Sequence, residues 1–197
     1  MLHHGTPMQR FVIALTGASG MPYGVRLLQA LHSLADTEIH LILSDAAGTV
    51  LDVEMPAETQ KTLRSFAHAV YSQHDLAAGP ASGSWPHDGM VICPCSMASL
   101  AAVSQGLGTN LIHRAADVSL KEKRRLVLVP RETPLNQIHL RNMLSLAQAG
   151  ATIFPAAPGF YHSPSSIDDL IDHLVGRVLD QLGLQVPWAP RWGSATT

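Results

Sequence analysis

Three serines stand where aliphatic runs give way to what reads as the start of a helix. Ser19 lies in Gly17-Ala18-Ser19-Gly20, Ser44 follows IHLIL, and Ser96 follows Cys93-Pro94-Cys95. Singly, Ser44 and Ser96 each suit a helix N-cap, and the glycine loop that holds Ser19 suits a tight turn. Together, hydroxyls and small residues at helix starts suit an anion, since the first amides of a helix are unpaired and its dipole favours negative charge there. A phosphate with a ribityl chain, as in FMN, fits such a set. The loop is neither a Walker sequence, G-x-G-x-x-G, nor the G-x-S-x-G elbow of hydrolases, so Ser19 is a poor acyl nucleophile. Further along, Pro130-Arg131-Glu132-Thr133-Pro134 fixes an arginine between two prolines, either to grip a phosphate or to pair with Glu132. Pro155-Ala156-Ala157-Pro158-Gly159-Phe160-Tyr161-His162 offers a phenol and an imidazole. Arg177 stands three residues before Asp180, a spacing that also allows a plain surface ion pair. Lys121, Lys123, Arg124 and Arg125 form a basic run that reads mainly as the solvated end of a helix. Trp85, in a loop of small residues, needs a ligand or a neighbouring subunit to pack against.

Alternating strands and helices must position these residues. Strands are expected at 11–16, 39–43, 69–72, 90–93, 126–129 and 152–154. Helices are expected at 23–34, 46–53, 55–64, 96–103, 109–120, 137–149 and 167–182, from periodicity and from breakers between the runs. Residues 73–89 read as an exposed loop, punctuated by Gly79, Pro80, Gly83 and Pro86. Continuously apolar strands separated by helices imply a parallel sheet covered on both faces. The expectation is a single doubly wound α/β domain, Rossmann- or flavodoxin-like, over residues 8–186. Residues 1–7 read as a leader or remnant, and 187–197 as a tail packing at a subunit interface. In such sheets ligands bind beyond the carboxyl ends of the strands, where all three serines fall.

Composition sets the frame. The chain has 197 residues, of which 46% are hydrophobic, 5% aromatic and 14% charged, with a formal net charge of -2. Too little charge opposes too much apolar surface for disorder, and the charge balance does not suit a protein that binds nucleic acid by neutralising phosphates. A charged share of 14% is well below the usual share of about 25%. Part of the surface is therefore expected to be hidden between subunits. Cys93 and Cys95 flank a single proline, too close for an unstrained disulfide and too few ligands for zinc. They suit reduced thiols in a cytoplasmic protein without a metal site. No apolar run is long enough to span a bilayer.

The motifs TGASG (16–20), LILS (41–44), CPCSMAS (93–99), RAADVSLKEKRRLVLVPRETPL (114–135), PAAPGFYH (155–162) and PRWG (190–193) occur in this order. Together they resemble the UbiX-type flavin prenyltransferases from about Gln9 to Gly193. The resemblance implies a homododecameric flavoprotein that joins a dimethylallyl group from dimethylallyl monophosphate to N5 and C6 of reduced FMN, without a metal. The prenylated FMN produced would serve a UbiD-type decarboxylase. Carried over by position, FMN would contact Gly17, Ala18, Ser19, Ser44, Ser96, Met97, Ala98, Ser99 and Arg131. The substrate phosphate would meet Arg114, Lys121, Arg131, Tyr161 and Arg177. Ser19, Glu54, Glu132 and Tyr161 would take part in the chemistry, and Trp85 and Trp192 would line the prenyl pocket. Some of these residues would come from neighbouring subunits.

The chain departs from the resemblance at Asp45, where many relatives carry lysine. It departs again at Ala98-Ser99, where many carry Lys-Thr; Ser99 keeps the hydroxyl. The alternatives are an FMN-dependent cysteine-peptide decarboxylase of the same architecture and a non-catalytic flavin-binding subunit. The first has no need of a cation set for a leaving phosphate.

Overall fold

In the computed structural model, which describes residues 8–189, 191 and 192, six parallel strands form one sheet between two layers of helices. The strands are β1 (Gln9–Leu15), β2 (Thr37–Leu43), β3 (Ala69–Ser72), β4 (Gly89–Cys95), β5 (Arg125–Pro130) and β6 (Thr152–Ile153). The helices are α1 (Met21–His32), α2 (Asp45–Glu54), α3 (Ala57–Leu63), α4 (Met97–Ser104), α5 (Leu111–Lys121), α6 (Gln137–Gln148) and α7 (Ile167–Gln181). The strand order is β3-β2-β1-β4-β5-β6, the Rossmann order expected of a doubly wound sheet.

Each central strand is apolar on both faces, because each face carries its own helical layer. Phe11, Ile13 and Leu15 of β1 pack with Leu27, Leu28 and Leu31 of α1 and with Leu174, Val178 and Leu179 of α7. Val12 and Ala14 point the other way, into a second core with Leu100, Leu111, Ile112 and Leu146. Helix α6 is poorly covered, although it carries several large apolar side chains. It buries only Leu146 and leaves Ile138, Leu140 and Leu144 more than half exposed.

The strand order turns back between β1 and β4, so the chain leaves these neighbours in opposite directions and opens a crevice at their carboxyl ends. The pairing of β4 with β5 also slips between Ile92 and Cys95, around Pro94, which follows a cis peptide bond. The Thr16 hydroxyl ties the crevice together. It donates to the Pro94 carbonyl (2.8 Å) and accepts from the Ser96 amide (2.7 Å).

Residues 73–89 are not the free loop expected. A single 3-10 turn at Gly79–Ala81 lies against α5, Pro80 and His87 are buried, and three arginines hold the segment down. Arg124 donates to the Gly83 and Trp85 carbonyls, Arg114 to Ala81, and Arg10 to Pro86. Arg124 and Arg125 are likewise structural rather than a solvated helix end, since Arg125 bonds the Leu182 carbonyl at 2.6 Å. At the other terminus Val186 and Ala189 are buried with α7 in the subunit's own core, and Trp188 stacks on the Arg26 guanidinium. Residues 1–7, 190 and 193–197 lie outside the described residues.

Candidate active site at the carboxyl edge of the sheet

Three helices begin at the carboxyl ends of β2, β1 and β4, side by side. Ser44 caps α2 by accepting from the Ala47 amide (3.1 Å), and Ser96 caps α4 by accepting from Ser99 (3.2 Å). The Ser96 and Ser99 hydroxyls also bond each other at 3.1 Å. Helix α1 starts differently. Its N-cap is Gly20, in a left-handed conformation (φ 113°) and with no side chain to offer. The missing acceptor comes from the last residue of α2. A Glu54 carboxylate oxygen takes both the Gly20 and the Met21 amides at 2.8 Å.

This corrects one sequence reading. The first amides of α1 are not open to an external phosphate, because the chain's own carboxylate already holds them. The anion-binding capacity of this edge therefore belongs to the starts of α2 and α4. Gly17 has a structural duty as well: a Cβ there would lie 2.5 Å from the Ala46 Cβ, so the loop after β1 can sit on α2 only as glycine.

Glu54 is the electrostatic centre of the site. Its burial raises the carboxyl pKa, but the Ser19 hydroxyl and the Gly20 and Met21 amides oppose this, helped by the Arg131 guanidinium. The net result lies below the usual carboxylate range. Arg131 extends from the end of β5 across the loop after β4, and its Nε donates to the Ser19 carbonyl at 3.3 Å. Ser19, Glu54 and Arg131, drawn from three separate parts of the sequence, thus meet at one point, and exposed Glu132 follows Arg131. Asp45 faces away toward β3, where its carboxylate pairs with His74 at 2.9 Å.

The loop after β6 joins this edge next to Arg131, with the Ala156 amide bonded to the Pro130 carbonyl (3.0 Å). It carries Tyr161, whose hydroxyl lies 2.9 Å from His173 Nε2 on α7 and whose ring meets Trp192 edge-on at 5.3 Å. Trp192 is 81% exposed. Arg177, one turn beyond His173 on α7, makes the expected ion pair with Asp180 at 3.3 Å, and Asp180 also receives Arg191.

The remaining candidates are not brought to this edge within one subunit. Trp85 precedes β4 and Lys121 precedes β5, so both lie at the amino end of the sheet. Lys121 pairs there with Glu122. Arg114 is engaged by Asp117 (2.7 Å) and the Ala81 carbonyl. Trp85 packs edge-on against His40 at 4.6 Å, beneath the Arg10 guanidinium. Sequence reasoning missed the tie made by Thr16 and the part played by His173. Thr16 stood inside the motif already singled out, whereas His173 gives no signal beyond its place on the inner face of α7.

The donors at this edge suit FMN. Serine hydroxyls and helix-start amides at Ser44, Ser96 and Ser99 match a phosphate and a polyol chain, with Arg131 as the neighbouring cation. Cys93 and Cys95 are buried, free thiols, the first pushed up to about 12 by burial, and they are structural rather than reactive. Among the described residues no helix is long and apolar enough to cross a membrane, and no cluster of acidic, histidine and cysteine side chains is placed to hold a metal ion.

Comparison with known proteins identifies the family. A model of the flavoprotein family matches residues 3–179. The chain is 50% identical to the flavin prenyltransferase UbiX of Pseudomonas aeruginosa over 94% of each protein. It is 48% identical to the mitochondrial flavin prenyltransferase of Saccharomyces cerevisiae, covering 93% of this chain and 75% of that one. Among solved structures, AnUbiX in complex with FMN and dimethylallyl pyrophosphate superposes with a TM-score of 0.91 at 47% identity, over 95% of this chain and 98% of the other. A dodecameric FMN-dependent UbiX-like decarboxylase of Escherichia coli O157:H7 gives 0.89 at 46%, over 93% and 99%. An FMN-dependent cysteine decarboxylase, TvaF, shares the fold alone, at 17% identity and a TM-score of 0.63. The chain belongs to the flavoprotein family and, within it, to the UbiX-type flavin prenyltransferases.

Proposed function

We propose that this chain transfers the dimethylallyl group of dimethylallyl monophosphate to reduced FMN, releasing inorganic phosphate that carries away the proton displaced from the flavin, in sites shared between subunits of a dodecamer. The observation that carries the reading is the Ser19–Glu54–Arg131 cluster, set beside two hydroxyl-capped helix starts at the switch point of the sheet. Bound reduced FMN supplies the nucleophilic N5 and C6 positions that become joined to the five-carbon unit.

The chain's own residues have three tasks. Ser44, Ser96, Met97, Ala98 and Ser99, with the backbone of Gly17 to Ser19, hold the mononucleotide at the crevice. Arg131, Arg177 and Tyr161 take up the negative charge that grows on the substrate phosphate as its C–O bond breaks, which lowers the barrier where charge develops. In the assembly, Lys121 and Arg114 of a neighbouring subunit add to this set. The proton displaced from N5 goes to the departing phosphate; ring closure then puts one proton on C2 of the prenyl chain, from that phosphate, and takes one from C6, which Glu54, kept ionised by its donors, accepts, with Glu132 nearby and the phosphate as the alternative acceptor. Trp192 and a neighbour's Trp85 exclude water and face the allylic cation.

No metal enters this scheme, because side chains supply the positive charge, so a chelator should leave the rate unchanged. The product suits a UbiD-type decarboxylase, and buried free thiols suit a cytoplasmic setting. Arg177→Ala separates the proposal from a flavin carrier without catalysis. Turnover should collapse while FMN stays bound; unaltered turnover would remove Arg177 from the phosphate site, and a parent chain that binds FMN but forms no adduct would favour the carrier.

A further inference from the structure

We infer that His173 is a positioning residue that aims the Tyr161 hydroxyl proton at the substrate phosphate, an inference that rests on the prenyl-transfer reading above. His173 is 6% exposed on the inner face of α7 and reaches into the loop after β6. Its Nδ1 lies 3.2 Å from the Gly159 amide and its Nε2 lies 2.9 Å from the Tyr161 hydroxyl. The amide can only donate, so Nδ1 must accept, and the neutral ring then carries its proton on Nε2. Nε2–H in turn donates to the Tyr161 oxygen. With its oxygen occupied as an acceptor, the phenol has its own proton free to donate outward, and Tyr161 is 42% exposed on that side.

The surroundings keep the ring neutral. Burial is the main cause that holds the His173 pKa below the usual imidazole value, and the stacked His162 ring (4.6 Å) and Arg177 push the same way. A protonated ring would also set an N–H against the Gly159 N–H. Because Arg177 follows one turn later on the same helix, the relay fixes Tyr161 relative to the cation that is to share the phosphate. Phenylalanine at 173 would fill the space and leave the tyrosine proton free to turn back into the protein. Glutamine, with an amide oxygen for Gly159 and an amide N–H for Tyr161, preserves the sense of the relay.

The test uses the full assembly with FMN bound. It reads steady-state prenylation and, separately, the Kd of dimethylallyl monophosphate for enzyme holding oxidised FMN, which cannot react. His173→Phe is expected to raise KM and Kd by about tenfold or more, the scale of one hydrogen bond to a charged group, with FMN affinity and assembly unchanged. Tyr161→Phe should add little in that background, although it weakens the parent, and His173→Gln should restore most of the affinity. An unchanged Kd in His173→Phe, or a Tyr161→Phe effect of full size on top of it, overturns the role of His173 while the prenyl-transfer reading stands. Failure of the parent chain to form any adduct overturns that reading, and the inference with it.

Discussion

Glu54 joins two jobs in one carboxylate. It supplies the cap that Gly20 cannot, and it stands ionised beside Ser19 and Arg131 where the proposed proton loss takes place. Glu54→Gln keeps the shape and a carbonyl acceptor but removes the charge and the basicity. Prenylated flavin should then form at least about tenfold more slowly, within the usual range for a lost general base, with FMN still bound. Formation at the parent rate would remove Glu54 from the chemistry. The same group gives a pH dependence of stability. Its folded pKa lies below the ordinary 4.5, so its contribution is complete above that value and is lost as pH falls through the lowered folded value. Acid unfolding curves of parent and Glu54→Gln should therefore converge as the pH drops below 4.5; a constant offset throughout would show that charge plays no part in the cap. The family resemblance names Glu54 for the chemistry, but nothing in the sequence shows its part in capping α1, since residue 54 falls between two expected helices. Only folding brings its carboxylate to a helix start 34 residues earlier.

At the scale of elements, helix starts do the binding and close packing sets where they lie. Gly24 brings α1 so near β4 that an added Cβ would lie 2.5 Å from the Cys93 carbonyl oxygen. Gly24→Ala should lower stability by about 1–3 kcal/mol, the usual range for overpacking, measurable as a shift in the urea midpoint. Ser96→Ala removes the cap of α4, about 1 kcal/mol, and a hydroxyl facing the proposed FMN phosphate. It should therefore weaken FMN binding more than Ser33→Ala, which loses only a carbonyl contact at the far end of α1. Equal FMN affinity in the two would place the phosphate elsewhere. The strands were legible in the sequence because apolar runs such as FVIAL and LVLV alternate with helical periodicity, and the serine caps because each follows such a run. The segment before β4 was not legible. Its glycines and prolines read as a free loop, while the arginines that pin it come from residues 10, 114 and 124, and only tertiary structure places them there.

At the scale of the whole molecule, the low charge and the apolar α6 point the same way. Leu135, Ile138, Leu140 and Leu144 are exposed on one subunit, and Trp85 and Lys121 lie at the wrong end of the sheet to serve its own site. Assembly would cover the first group and deliver the second to a neighbour. Leu144→Glu should give smaller particles by light scattering and lose turnover with them; full activity in a monomer would show that each subunit is complete. Mixed assemblies of Glu54→Gln and Lys121→Ala subunits should regain part of the activity that each lacks alone, since some shared sites then draw both parent residues. The most direct measurement of all is anaerobic incubation of the chain with reduced FMN and dimethylallyl monophosphate, followed by mass spectrometry of the released flavin, with the diphosphate in a parallel reaction. The account predicts flavin heavier by one five-carbon prenyl unit, with inorganic phosphate released in equal amount. Unmodified FMN with both donors would contradict it.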